Sequence, residues 1–350
     1  MSFQIATRQN ITELPAQTYD TQRKTFVLPK VGLLSRLFLT FKGTYTMTLG
    51  GGSAAVSQFT AYNLIKRIRV LANSGASIFD VTGYGAYLIN RIQARHSILT
   101  DSLFDSGGDA NVFSAPVAGG ANAWLMGLEI PIAINEKDPV GLILLQNNST
   151  TITVEIEFNS EYGLADDGST AVLTTGAAAG VITAGTVGLS MEYFTVPRLP
   201  ADYPALNVIH QYLEENMPFS ATGAQIVTLQ RGNTYLQLIH VLTCANLLNT
   251  AAVDRLRILY NQSEVPYNVV KSVQSLLQRK RYGSDLPVGT FVHDWYMSNG
   301  IPNLGNSRDF INSAAVTEFQ SEVTVATGTT VTAGQTSLRT IKRQLVQIAA

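Results

Sequence analysis

The stretch Ile65–Ile92, IKRIRVLANSGASIFDVTGYGAYLINRI, occurs a second time in the same chain. A shift of 188 residues places it without a gap on Val253–Lys280, VDRLRILYNQSEVPYNVVKSVQSLLQRK. Seven of the 28 aligned positions are identical, whereas random pairing at average residue usage would give roughly two. Other positions exchange similar side chains, as Phe79 and Tyr267 do. Self-similarity over so long a period indicates that one supersecondary unit is used twice.

The order of predicted elements is the same in both copies. Alternating residues predict a strand over 65–72, and Asn73-Ser74-Gly75-Ala76 has the composition of a tight turn. A short return strand follows, and then apolar spacings of three and four from Val81 to Ile92 predict a helix. In the second copy the helix is predicted to carry one apolar stripe, formed by Val269, Val270, Val273, Leu276 and Leu277.

Four arginines recur at equivalent positions of the repeated strand. Arg67 and Arg69 face the same side of the first copy, and Arg255 and Arg257 occupy the matching places in the second. The chain has a net charge of −1 and therefore no basic field for non-specific binding of nucleic acid. We therefore interpret the four arginines as structural or inter-domain pairing residues and as candidates for an interface.

The elements around the repeat also follow one order in both halves. In the first half, strands are predicted at 33–47, 124–134, 141–146, 150–158 and 189–196. In the second half they are predicted at 225–230, 235–243, 290–297, 315–326 and 338–348. A segment rich in Gly, Ala and Thr precedes each closing strand, at 163–187 and 327–337, and is predicted to be a loop or, in the first half, an extended hairpin.

Short strands separated by turns, with one helix in each half, predict an all-β protein. About eight strands in each half match two tandem eight-stranded jelly rolls, the first over residues 26–198 and the second over 208–350. Three prolines in PRLPADYP cannot lie inside a strand or a helix, so residues 199–207 are predicted to be a linker.

Residues 1–25 are polar and mixed, and we expect them to form an N-terminal arm with a short helix near Gln9–Leu14. Arg8, Arg23 and Lys24 of this arm are candidates for facing a neighbouring subunit or a membrane.

The composition is more typical of a protein whose surface is covered by neighbouring subunits than of a free, soluble enzyme. Charged residues make up only 14% of the chain, below the usual quarter. The single cysteine, Cys244, excludes an intrachain disulfide and lies in an apolar run that predicts burial. The start of the chain lacks the features of a signal peptide, and no apolar run is long enough for a membrane span. Synthesis in the cytoplasm is therefore expected.

No catalytic or metal-binding motif occurs in the sequence. The four histidines, His96, His210, His240 and His293, are far apart in the chain, and HExxH, GxSxG and phosphate-loop patterns are absent. Adjacent His293 and Asp294 point to opposite faces of a strand, which argues against a catalytic triad. We therefore expect no catalytic residue, no metal, no cofactor and no enzymatic activity.

Two tandem jelly rolls, an arm and a proline-rich linker resemble the double jelly-roll major capsid proteins of tailless double-stranded DNA viruses with an internal membrane. The segment IRVLANSGASIFDVTGYGAYLINRI is similar to the one after the second strand of that family's first domain. The resemblance covers Thr25–Ile348, and the chain length is close to that of the tectivirus-like bacteriophage members. The modest loops argue against large outer towers.

This resemblance implies a homotrimer, in which three chains with two jelly rolls each form a pseudo-hexameric capsomer. It implies further partners in an icosahedral virion, namely other copies in the lattice, penton and minor capsid proteins, and the internal membrane. It implies no specific recognition of nucleic acid. The expected location is the virion capsid, after synthesis and assembly in the host cytoplasm.

Two other functions stay open at this point. A carbohydrate-binding or glycan-processing double β-sandwich protein would use Trp124, Trp295 and Tyr296 to stack on sugars. The chain lacks a close carboxylate pair at a strand end, which argues against the glycan-processing form. A virion spike or receptor-binding protein would differ from a major capsid protein mainly in copy number.

Overall fold

The computed structural model describes residues 2–50, 55–94, 119–134, 139–147, 149–165, 174–175, 177–261, 263–283, 285–296 and 310–347. Its α-helices are α1 (Ser2–Ala6), α2 (Gly83–Ala94) and α3 (Lys271–Tyr282). Short 3-10 turns lie at Ala61–Leu64, Pro200–Asp202 and Ser313–Ala315. None of the helices in this part of the chain is both long and apolar enough to span a bilayer.

Strands make up most of the described chain. In chain order they are β1 (Gln9–Glu13), β2 (Gln17–Thr18), β3 (Lys24–Val27), β4 (Leu33–Leu49), β5 (Ala55–Val56), β6 (Ile65–Ala72), β7 (Ala76–Val81), β8 (Gly120–Pro131), β9 (Ile143–Leu144), β10 (Ile152–Phe158), β11 (Thr174–Thr175), β12 (Ala177–Phe194), β13 (Val208–Pro218), β14 (Gly223–Thr228), β15 (Thr234–Cys244), β16 (Leu247–Leu248), β17 (Val253–Tyr260), β18 (Glu264–Val270), β19 (Thr290–Asp294), β20 (Ile311–Asn312), β21 (Phe319–Val325) and β22 (Ser337–Gln347).

The chain divides into two compact units. Of the described residues, the first unit contains 2–90, 119–212 and 347, and the second contains 91–94 and 213–346. The first unit has one sheet in the order β1-β12-β4-β8 and another in the order β3-β10-β6-β7. The second unit has β13-β22-β15, with β19 paired to β15, and a sheet in the order β14-β21-β17-β18.

The strand order is therefore the same in both units. Each of the eight strands in the first unit's two orders has a counterpart at the same place in the second, from β1 and β13 to β7 and β18. Apart from the two-residue strands β2, β5, β9, β11, β16 and β20, each unit thus has two rows of four strands, and eight strands are the number that a jelly roll requires. The all-β prediction with one helix following the repeated hairpin in each half is confirmed.

Alternating burial explains why these sequences form sheets around a core. In β10, Ile152, Val154 and Ile156 are buried and the residues between them are partly exposed, as the two-residue period of a strand requires. The second unit has its own apolar core, in which side chains from β15, β17 and β21 pack together, for example Leu238, Leu256 and Val323. Burial of such apolar area is the main stabilising term for sheets of this kind.

The helix predicted near Gln9–Leu14 is wrong, because Gln9–Glu13 forms β1. This strand pairs antiparallel with β12, from Gln9 opposite Phe194 to Glu13 opposite Ser190. An isolated helix of about six residues is unstable in water. The edge of β12, in contrast, offers this segment unpaired backbone groups.

The segment 163–187 is more ordered than a simple loop. Residues 177–187 belong to β12, which pairs with β4 along most of the length of both strands. Neither a loop nor a local hairpin describes 177–187, which is the first part of β12 and pairs with the distant strand β4, while residues 166–173 lie outside the described part of the chain.

Candidate functional site

The duplicated segment forms the same structure twice, as the repeat predicts. A strand, a tight turn, a return strand and a 12-residue helix follow one another as β6, β7 and α2 and again as β17, β18 and α3. The alternation, turn composition and helical spacing of the sequence account for each of these elements. The four predicted arginines lie in the first strand of each copy, Arg67 and Arg69 in β6 and Arg255 and Arg257 in β17.

In the first copy, both arginines pair with acidic residues of neighbouring strands. The guanidinium of Arg67 pairs with Asp80 of β7. That of Arg69 lies 2.7 Å from Glu157 of β10 and 3.6 Å from Asp80. Glu155, directly opposite Arg69 in β10, lies 4.0 Å away. The side chains form a largely buried charge network on one face of the sheet.

The second copy repeats this arrangement with two carboxylates fewer, one of them lost because Thr324 faces Arg255 where Glu157 faces Arg67. Arg255 donates a 2.9 Å hydrogen bond to Asn268, which stands exactly where the 188-residue shift places Asp80. Arg257 lies 3.4 Å from Glu322, its direct partner in β21. Each of these four arginines thus contacts partners in its own sheet and in its own unit.

An asparagine common to both copies has a role that sequence reasoning missed. Asn73 and Asn261 both have positive φ, 51° and 52°. The Oδ1 of Asn73 accepts a 2.8 Å hydrogen bond from the backbone of Thr151, and that of Asn261 accepts a 2.7 Å bond from Thr317. The sequence did contain a signal for this role, because asparagine occurs at the same place in both predicted turns. Asparagine tolerates a positive φ and forms hydrogen bonds with nearby backbone.

The two helices of the repeat differ in their surroundings. Every residue of α2 from Gly83 to Asn90 is buried. In α3 the buried side chains are Gln274, Gln278 and Tyr282, whereas the predicted apolar stripe is largely on the surface. The helix prediction is confirmed, but the face that packs against the unit is the polar one.

The structure brings together two histidines that are 53 residues apart in the sequence. The rings of His240 and His293 lie 5.5 Å apart and are both buried. Nδ1 of His240 lies 2.9 Å from the Thr340 hydroxyl, and Nε2 lies 2.8 Å from that of Ser321. Neither ring nitrogen of His293 has a hydrogen-bond partner among the described residues.

Burial determines the protonation of this pair. Desolvation lowers the pKa of His240 to about 4. Desolvation also lowers the pKa of His293 well below its ordinary value, and the nearby His240 adds to the effect. Asp294 interacts elsewhere, since it accepts hydrogen bonds from Gln237 and Tyr282. The pair is neutral at pH 7 and is enclosed in the core, where a substrate has no access.

The other predicted positions are distributed as follows. His210 is buried in the first unit, and His96 lies outside the described residues. Cys244 is buried, as its apolar run predicts. In the part of the chain that the structure describes, no group of three or more His, Cys, Asp or Glu side chains could hold a metal ion.

The basic residues of the N-terminal segment differ in exposure. Arg23 lies 3.3 Å from Glu155, and Lys24, although buried, pairs with Asp20. Arg8 is exposed, and within the described ranges no ion pair of its side chain is recorded. Their predicted role toward a neighbour or a membrane stays a prediction.

Two of the three aromatic residues of the carbohydrate alternative, Trp295 and Tyr296, are not arranged for sugar stacking. Tyr296 is buried, and its ring lies 4.1 Å from the guanidinium carbon of Arg343. Trp295 is partly buried and packs against the core of the second unit. The side chain of Trp124 is outside the described part of the structure. No observation therefore favours the carbohydrate function.

The burial of three arginines, Arg36, Arg339 and Arg343, was not predicted from the sequence. Arg36 lies 3.1 Å from Glu129 and 2.9 Å from Glu192, and Arg343 is almost completely buried. A buried charge requires partners, and Glu129 and Glu192 supply them for Arg36. The sequence gives no signal for the burial of Arg339 and Arg343, because both stand among other polar residues of the last strand.

Known proteins resemble this chain in structure but not in sequence. No protein-family model and no curated protein matches the sequence. The structure matches the major capsid protein (MCP) of STIV, Sulfolobus Turreted Icosahedral Virus, over 97% of both chains, with a TM-score of 0.65 at 12% identity. The chain has the double jelly-roll fold.

Other capsid proteins match over similar lengths. The major capsid protein P2 of bacteriophage PM2 matches over 98% of both chains, with a TM-score of 0.57 at 10% identity. VP54 of PBCV-1 matches over 98% of this chain and 95% of its own, with a TM-score of 0.65 at 11% identity. These matches extend over both jelly-roll units.

Proposed function

We propose that this protein is the major capsid protein of an icosahedral virus. The observation that carries the proposal is the duplicated strand order, β1-β12-β4-β8 beside β13-β22-β15-β19, in a chain that matches viral capsid proteins along almost its whole length. The protein acts through burial and symmetry, and it is not an enzyme. The enclosed histidine pair and the arginine ion pairs within each unit support such a structural role.

The proposed assembly is a homotrimer with a pseudo-hexagonal outline. Three chains with two equivalent units each supply six similar edges, so that one kind of chain can tile a facet with quasi-equivalent contacts. Contacts between different surfaces of identical chains close into a ring when the rotation between subunits permits it. Equal strand order in both units supports this assembly, because the six edges are then built alike.

Finer features belong to the same proposal. We place the first jelly roll at 26–198 together with β1, the second at 208–350 and a linker at 199–207. We also propose that the shell lies over an internal membrane, with penton and minor proteins as further partners. Arg8 is the best candidate of the N-terminal segment for a contact outside the chain, because it is exposed and Arg23, also exposed, pairs with Glu155. The interface role of Arg67 and Arg255 is tested by the double variant Arg67→Ala, Arg255→Ala, for which we expect folded monomers in place of trimers.

Electron microscopy of the source particle tests the proposed function. We expect icosahedral particles whose facets consist of hexagonal capsomers, each made of three copies of this chain. A particle that carries the protein only as vertex spikes, in low copy number, would favour the receptor-binding alternative.

A further inference from the structure

Strand β18 is the last strand of its sheet, and among the described residues no strand lies along its outer edge. None of the seven residues of Glu264–Val270 is buried. In the first unit the equivalent strand β7 has Ile78, Phe79 and Val81 buried. An edge strand presents backbone N–H and C=O groups to which another segment can bind. The two copies of the repeat therefore differ in what lies at this edge.

The first unit shows what covers the edge of β7. Strand β13 is its neighbour in the sheet order, and the first part of β13, residues 208–212, belongs to the first unit. The side-chain amide of Gln211 donates a 2.9 Å hydrogen bond to the backbone oxygen of Ser77. The ring of Tyr212 is fully buried and lies 5.9 Å from that of Phe79. The start of β13 thus closes the edge of β7.

Strand β1 has the place of β13 in the duplicated strand order. It pairs with β12, as β13 pairs with β22, and in the described part of the chain its other edge has no neighbour. All five residues of Gln9–Glu13 are exposed, and Ile11 is 63% exposed. Residues 208–212 therefore cover the edge of a second strand, whereas their counterpart β1 covers no second edge among these residues.

The composition of the two open edges favours this pairing over others. Gln9 and Asn10 of β1 carry exposed side-chain amides, the group with which Gln211 binds the backbone oxygen of Ser77. Pro266 of β18 lacks the N–H that a second β18 would need for a regular ladder. Carbonyl oxygens of an edge strand can still accept hydrogen bonds from amides. The edge of β18 therefore suits a strand that supplies donors.

We propose that β1 of a second copy of this chain covers the edge of β18, as residues 208–212 cover the edge of β7. The inference rests on the proposed capsid function and names a contact between neighbouring chains. Each chain gives one β1 and receives one, so the contact joins unlike surfaces and closes into a ring when the rotation between the chains permits it. Neither of the two open edges then remains without a partner strand.

Cross-linking tests the contact. The double variant Ile11→Cys, Val265→Cys places one thiol on each edge, at side chains that are 63% and 41% exposed, and the native Cys244 is buried. A short bismaleimide should convert the assembled protein into covalent dimers and trimers on a denaturing gel. The matched control is Ile11→Cys, Ile226→Cys, because Ile226 is 45% exposed and lies in β14, at the opposite edge of the same sheet.

The control variant should give at least tenfold less of these covalent products. Cross-links confined to single chains overturn the inference, as do equal yields in the two double variants. Covalent dimers of Ile11→Cys alone would place β1 against another β1 and overturn it as well.

A charge variant provides the second measurement. Val265→Lys should raise the apparent dissociation constant of the trimer at least tenfold, with unchanged far-ultraviolet circular dichroism, because a lysine on an edge strand opposes the addition of another strand. Ile226→Lys is the matched control and should leave the dissociation constant unchanged. Trimers of undiminished affinity in Val265→Lys contradict the inference and leave the capsid function standing, whereas a monomeric wild type contradicts the proposed trimer itself.

Discussion

Asn73 and Asn261 lie 188 residues apart and hold the same turn in the same way. Both have left-handed backbone conformations. The Oδ1 of Asn73 accepts a hydrogen bond from the backbone of Thr151, just before β10, and that of Asn261 accepts one from the backbone of Thr317, two residues before β21. The backbone N–H of each asparagine also donates back to that segment, to Thr151 and Glu318. The two units are thus related by their turn chemistry as well as by strand order.

The first prediction concerns this turn. Asn261→Ala should destabilise the second unit by about 2 kcal/mol, because alanine loses the side-chain hydrogen bonds and disfavours the positive φ. Asn261→Gly should cost only about 1 kcal/mol, because glycine keeps the conformation. Urea denaturation measures both values. Equal losses for alanine and glycine would show that the backbone conformation does not contribute.

The second prediction concerns the packing of α2. A Cβ at Gly83 would overlap the carbonyl oxygen of Tyr62. Gly83→Ala should therefore destabilise the first unit by about 3 kcal/mol, a value typical of overpacking at a closely packed site. The matched control is Lys271→Ala in the second unit, which should change stability by less than about 0.5 kcal/mol. Hydrogen exchange followed by mass spectrometry assigns the loss to a unit. Similar effects at both positions would contradict the difference between the helices.

The third prediction concerns the position shared by Asp80 and Asn268. Asp80→Asn removes the charge that faces Arg67 and should cost roughly 1 kcal/mol, since the pair is about three-quarters buried. Asn268→Asp should stabilise the second unit by about 0.5 kcal/mol through Arg255. Both differences should shrink in 1 M NaCl, where screening is strong. Differences independent of salt would rule out an electrostatic origin.

The fourth prediction concerns acid stability. His240 and His293 have pKa values below the ordinary value, so the unfolded chain binds protons first as the pH falls. Their contribution to stability is complete near pH 7 and is lost as the pH falls toward 4. For His240, with a pKa of about 4, the loss reaches on the order of 3 kcal/mol.

The variant His293→Phe tests this account. Phenylalanine removes a protonatable ring that has no recorded hydrogen-bond partner and can keep the contacts with Tyr267 and Trp295. The melting temperature at pH 7 should be equal or higher, and its decline between pH 7 and pH 4.5 should be less steep. A decline as steep as in the wild type would locate the acid sensitivity elsewhere.

The repeat made most of the fold predictable. Two copies of one segment at a fixed shift constrain the order of the surrounding strands, and alternation identifies the strands themselves, as in β10 with Ile152, Val154 and Ile156. The functional expectation depended on this order, because the residues alone contain no catalytic pattern.

Features determined by partner strands could not be predicted from local sequence. Six of the 17 residues of β12 after Ala177 are Gly or Ala, which have low intrinsic preference for strands. The structure explains them by packing, since a Cβ at Gly180 would overlap the ring of Tyr45, and one at Gly188 would crowd Thr40. Similarly, β1 is a strand because β12 offers it an edge.

The surroundings of the second helix were also beyond sequence reasoning. Its apolar stripe predicts a helix with one apolar face, but the pattern does not identify what covers that face. The same limit applies to His240 and His293, which become neighbours only because β15 pairs with β19.

The oligomeric state of the purified protein tests the central claim most directly. Size-exclusion chromatography with light scattering at micromolar concentration should give a single species of three times the chain mass that resists mild denaturant. A stable, folded monomer at that concentration would contradict the capsomer proposed for this chain.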